Sequence, residues 1–209
     1  MEWDEKEIKQ CVKPEGELGI DVGKEMNVSH EELWRWGLNF INKNGKQSIL
    51  DVGCGGGKAI NLMSSIFPKS SLVGIDYSKE MVDLARQVND ELIKQERVEI
   101  MNGSVSSLPM DDNKFDLVTA FETYYFWPDL INNLKEIKRT LKPGGVLLMV
   151  NETYKHKNFE ERNAKIIDIL DITIHTPSEY KIFLDKSGFS NIEIKELEDK
   201  NWLTAIAYK

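Results

Sequence analysis

Residues 51–57, Asp-Val-Gly-Cys-Gly-Gly-Gly, hold the groups in this chain best suited to receive a charged ligand. A carboxylate followed at once by glycines puts an anion beside backbone N–H groups that no side chain covers. The acid can meet a ligand's ammonium while the loop backbone meets its carboxylate, so the arrangement suits an amino-acid moiety. Ile49, Leu50 and Val52 read as a strand buried on both faces, and Gly53, Gly55, Gly56 and Gly57 as the turn that ends it. Residues 58–67 carry Ile60, Leu62, Met63 and Ile66 at helical spacing and stop before Pro68.

Two other uses of such a turn fit less well. A phosphate-binding loop needs Gly-Lys followed by Ser or Thr, and here Ala59 follows Gly57-Lys58, leaving no hydroxyl for magnesium. A dinucleotide fingerprint counted from Gly53 and Gly55 wants a third small residue where Lys58 stands. An NAD-dependent oxidoreductase is therefore the runner-up.

ILDVGCGGG resembles the first motif of the class I S-adenosylmethionine-dependent methyltransferases, and FDLVTAFE with LKPGGVLLMV resembles the family's fourth and fifth strands. The resemblance covers residues 45–209 and implies an α/β fold. Its form is a three-layer, Rossmann-like, seven-stranded, mostly parallel sheet with a C-terminal antiparallel hairpin and helices on both faces. It implies S-adenosyl-L-methionine as cofactor, S-adenosyl-L-homocysteine as product and a small-molecule methyl acceptor. The implied contacts are Asp51, Gly53, Cys54, Gly55 and Gly57 from the first motif, then Asp76, Tyr77 and Met81 from the second strand and its helix. Gly103, Ser104 and Val105 are expected near adenine, and Phe121 and Glu122 at the end of strand four. A non-catalytic S-adenosylmethionine-binding protein stays open beside the enzyme.

The remaining elements must position these residues. Residues 71–75 read as strand two ending at Asp76, whose carboxylate can accept both ribose hydroxyls, with Ser78 capping a helix through Met81, Leu84, Ala85, Val88 and Leu92. Residues 97–101 read as strand three and 115–121 as strand four, delivering Glu122, Thr123, Tyr124, Tyr125, Phe126 and Trp127 to the ligand side of the sheet. Aromatic faces there can attract a sulfonium; Tyr124 or Tyr125 is assigned to the pocket and Trp127 to packing. A helix from Pro128 ends at Lys142-Pro143-Gly144-Gly145, and residues 146–150 read as strand five. Residues 151–175, with a helical stretch over 159–170, are where acceptor selectivity is expected. A helix capped by Thr176 and Glu179 closes at Gly188, and residues 189–197 and 202–208 read as the terminal hairpin.

Residues 1–44 read as a separate arm and cap helix. Residues 1–28 carry scattered glycines and little periodicity, suggesting an irregular arm. Ser29 with Glu32 suggests a capping box for a helix that Asn44-Gly45 stops and that helps roof the pocket.

The net charge of −8 argues against a nucleic-acid partner. Cys11 and Cys54 match no metal spacing, so no metal is expected, and free thiols suit a reducing compartment. MEWDEKEIKQ has no apolar signal core and the longest purely apolar run is 146–150, so no membrane association is expected. The expectation is a cytoplasmic protein, monomeric or weakly homodimeric. Methyl transfer needs a general base only for a protonated nucleophile, so the reaction does not by itself require a catalytic residue. His30 and Tyr125 rank first, ahead of His156 and Glu122. Cys54 reads as a small packed residue rather than a nucleophile.

Overall fold

The computed structural model describes residues 3–209 except Asn44 and Lys46. Asn44, part of the expected helix stop, therefore lies outside the described residues. The seven strands are β1 (Ser48–Val52), β2 (Ser71–Asp76), β3 (Val98–Asn102), β4 (Phe115–Phe121), β5 (Leu141–Asn151), β6 (Ser190–Leu197) and β7 (Trp202–Tyr208). They form one sheet in the order β3-β2-β1-β4-β5-β7-β6. The first five are parallel to one another, while β7 runs antiparallel to both β5 and β6. The strand order reverses between β1 and β4, the place where open α/β sheets bind ligands. This is the Rossmann-like architecture anticipated above.

The helices are α1 (Glu5–Lys9), α2 (Gly16–Ser29), α3 (Glu31–Leu38), α4 (Lys58–Ile66), α5 (Lys79–Val88), α6 (Asp90–Lys94), α7 (Leu130–Thr140), α8 (Glu160–Leu170) and α9 (Pro177–Lys186). Side chains alternate across the strands, so Leu50 and Val73 pack with Leu134, Ile137, Phe183 and Leu184 of α7 and α9. Ile49 and Leu72 join Leu33, Leu38, Ile60, Met63 and Val82 of α3, α4 and α5 on the other face.

Three local expectations fail for identifiable reasons. Within the expected irregular arm of residues 1–28, the described residues 3–28 are not irregular: α1 has an Asp4–Glu7 capping box, and α2 spans a stretch weakened by glycines. Glycine costs about 1 kcal/mol in a helix interior, but at Gly23 an added Cβ would lie 2.6 Å from Met81 Cε, so a bare face is what lets α2 seat on α5. Ser29 ends α2 rather than capping α3, whose N-cap is His30 with no side-chain cap bond. Lys142-Pro143-Gly144-Gly145 lies within β5, across a register shift against β4 between Phe115 and Leu117, and does not separate helix from strand.

Helix α3 crosses β5 at close range. A Cβ on Gly37 would stand 2.3 Å from Val150 Cγ2, in a wall that cannot retreat. Gly37→Ala is expected to lower unfolding free energy by roughly 1–3 kcal/mol, read as a lower urea midpoint at unchanged slope.

Candidate active site

A cavity of about 510 Å³ opens at the carboxyl ends of β1, β2 and β4, within the size range of small-molecule sites. Asp51, Gly53, Cys54, Gly55, Asp76, Tyr77, Met81, Gly103, Ser104, Val105, Phe121 and Glu122 all line it, and so does His30. Gly57 does not line it. Its φ of +78° starts α4, and a Cβ there would meet Ala85 Cα at 2.7 Å, so this glycine serves the contact with α5. Tyr125 is also absent from the lining, and His156 lies with Lys155 and Glu160 at a different cavity.

The glycine turn is held from beneath. The N–H groups of Gly53 and Cys54 both donate to the Ile75 carbonyl, at 2.8 and 3.0 Å. Asp76 Oδ2 accepts the Gly55 N–H and Oδ1 accepts the Ser78 N–H, each at 2.9 Å. Gly55 has φ +49°, and a Cβ built on it would meet nothing within 4 Å. Its open face therefore lies along the cavity, where a ligand can touch backbone.

Electrostatics set the remaining character. Asp51 is 1% exposed and accepts a 2.6 Å hydrogen bond from Thr119 Oγ1. Burial, helped by the nearby Asp76 charge and opposed by the Thr119 bond, pushes its carboxyl up to about 7. Asp76 is raised by burial too, against the pull of its backbone donors. Burial first, then Asp76 and Asp51, hold the Cys54 thiol well above its usual range. A thiol kept from ionising is a poor nucleophile, which supports the packing role, and a Cβ on Gly74 would stand 3.0 Å from its Sγ. Two acids and an open glycine face in one cavity fit a ligand carrying an ammonium and a hydroxylated sugar. Among the described residues no group of acids, histidines or cysteines could hold a metal.

Residues 50–149 match the profile of a family described as Methyltransferase domain. Over that stretch the chain is similar to methyltransferase domains. It is 29% identical to malonyl-[acyl-carrier protein] O-methyltransferase of Priestia megaterium, over 69% of this chain and 48% of that protein. It is 34% identical to demethylmenaquinone methyltransferase of Lactococcus lactis, over 62% of this chain and 52% of that one. The chain thus spans about half the length of these curated relatives. A solved S-adenosylmethionine-dependent methyltransferase from Aquifex aeolicus shares the fold, with a TM-score of 0.68, 19% identity and 99% of each chain covered.

Much of the wall of this cavity comes from a segment in which the sequence shows no signal. Cys11, Val12, Lys13, Pro14, Met26 and Asn27 all line the cavity. They are tied down by side chains: Ser78 Oγ donates to the Pro14 carbonyl at 2.7 Å and the Tyr77 hydroxyl to the Val12 carbonyl. Asn27 Nδ2 donates to the Gly56 carbonyl at 3.0 Å, and Asn27 Oδ1 accepts the Lys58 N–H at 3.3 Å. The aromatics after β4 take places opposite to those expected. Phe126 and Trp127 line the cavity, while Tyr124 is buried against Tyr180 and Phe183. A single 3-10 turn over Tyr124–Phe126 swings successive rings to different sides. None of residues 151–175 lines the cavity.

Among the described residues no helix is long and apolar enough to cross a membrane.

Proposed function

We propose that this chain transfers a methyl group from S-adenosylmethionine to a small-molecule acceptor bound in the same cavity. The observation that carries it is the joining of Asp51, the open face of Gly55 and Asp76 along one wall. Asp51 would take the ligand's ammonium and Asp76 its ribose hydroxyls, with the ligand lying against the open face of Gly55 and Met81, Ser104 and Val105 flanking the base. Bound there, the cofactor supplies an activated methyl group on a positively charged sulfur. Trp34, Phe121, Phe126 and Trp127 provide aromatic surface that attracts positive charge and excludes water. The protein's task is then alignment and desolvation, and alignment alone is worth ~7–11 kcal/mol in favourable cases. The relatives named for a carrier-bound malonyl group and for demethylmenaquinone support an acceptor other than nucleic acid.

Calorimetric titration with S-adenosylmethionine, S-adenosylhomocysteine and NADH tests this reading. Both sulfur nucleosides are expected to bind at one site per chain and NADH to give no saturable heat. Binding of NADH alone would return the glycine turn to the dinucleotide class.

A further inference from the structure

Beyond the ligand-binding acids, Glu122 and His30 line the cavity, and Glu152, from a third part of the chain, contacts both. Glu122 leaves β4 in a left-handed conformation, φ 58°, which is strained for a residue with a side chain. Its N–H donates to the Val150 carbonyl at 3.0 Å, and its carboxyl is held at both oxygens. Oε2 accepts the Tyr125 hydroxyl and Oε1 accepts the Glu152 N–H. Glu152, just after β5, places Oε1 3.5 Å from His30 Nε2 at the α2–α3 junction. His30 Nδ1 lies 3.0 Å from the Met26 carbonyl, so Nδ1 carries a proton.

The charges around Glu122 leave it without a cation of its own. Burial pulls His30 down, but the hydrogen bond and charge of Glu152 outweigh this and push it up to about 9, so the two form an ion pair. Burial opposes ionisation of Glu152, and His30 together with Arg162 overcomes it. Glu122 is raised above the carboxylate range by burial first and the Glu152 charge second, against the smaller pull of His30 and Tyr125. The other titratable groups facing it, Cys11, Tyr124, Tyr125 and Tyr180, are all held in their neutral forms, chiefly by burial.

We propose that Glu122 is the proton-accepting group of this site: protonated in the ligand-free cavity, it ionises when a positively charged ligand enters and takes the proton that an O–H or N–H acceptor gives up. This rests on the reading of the cavity as an S-adenosylmethionine site. The balance closes within the cavity. A bond forms between the acceptor atom and the methyl carbon, the carbon–sulfur bond breaks with its pair left on sulfur, and the acceptor's proton passes to Glu122. One positive and one negative charge disappear together, so neither is stranded in a low-dielectric site. Tyr125, Glu152 and His30 act as positioning residues, holding the carboxyl toward the cavity.

The test compares proton release on binding S-adenosylmethionine with that on binding S-adenosylhomocysteine, by calorimetry near pH 7 in buffers of different ionisation enthalpy. The ligands share the ammonium that faces Asp51, so any proton released there cancels; they differ in the charge on sulfur. S-adenosylmethionine is expected to release about one proton more, and Glu122→Gln to abolish that difference. Carbon-13 NMR of the unsubstituted protein should show one glutamate carboxyl ionising with S-adenosylmethionine and staying protonated with S-adenosylhomocysteine, a readout independent of the variant's folding. Equal proton counts, or a difference that survives Glu122→Gln, overturns the proposal. Failure of both ligands to bind overturns instead the cofactor reading beneath it.

Discussion

Asp76→Ala is expected to weaken S-adenosylhomocysteine binding by roughly 100-fold or more, the largest single-residue loss in the site. Two effects add. A buried carboxylate facing a sugar offers two charge-assisted hydrogen bonds worth about 1.5–3 kcal/mol each, and each 1.4 kcal/mol is tenfold in affinity. The same carboxylate also holds the Gly55 and Ser78 N–H groups, so its removal frees the glycine turn that should meet the other end of the ligand. Calorimetry measures the affinity. A companion thermal melt should show only a few degrees of destabilisation, since Ser78 Oγ still caps α5 through the Met81 N–H. An affinity within threefold of the unsubstituted protein would remove Asp76 from the ligand set.

What could be read from the sequence was whatever local chemistry enforces. The β1–turn–α4 corner is written in an apolar run, glycines and a helical repeat, and Asp76 and Glu122 are marked as polar residues ending apolar strands. What could not be read depends on partners distant in sequence. Helix α2 has three glycines that argue against it locally and is stabilised by α5; residues 11–14 become cavity wall only because Tyr77 and Ser78 hold their carbonyls. The Glu152–His30 pair joins residues that no motif connects. Tyr125 and Trp127 exchange expected places because one 3-10 turn, invisible to strand or helix periodicity, decides which ring faces inward. Gly57 shows that membership of a glycine cluster does not make every glycine a ligand contact. The corner itself was legible, as was a helix after Ser29 beside the pocket, whose His30 and Trp34 line it; the wall from residues 11–14 and from α2 was not.

Asp51→Asn separates what this site costs from what it does. Asp51 is raised from an ordinary 3.8 to about 7 in the folded chain, so between those values the folded state holds a proton the unfolded state has lost. Its contribution to folding is therefore neutral below the lower value and becomes steadily unfavourable as pH rises through about 7. A shift of that size corresponds to a few kcal/mol, and asparagine, uncharged at every pH, removes it while its side-chain oxygen can still accept the Thr119 hydroxyl. The variant should match the unsubstituted protein in thermal melts near pH 4 and exceed it by several degrees near pH 8, with the gap opening between. It should bind S-adenosylhomocysteine at least tenfold more weakly, because the ligand's ammonium then meets a neutral amide. Saturating ligand should also stabilise the unsubstituted protein more than the variant, since an ammonium beside Asp51 relieves the unpaired charge that made it unstable. A variant less stable than its parent near pH 8 would mean that Asp51 is already compensated in the ligand-free cavity. A more stable variant with full affinity would mean that the ammonium is received elsewhere.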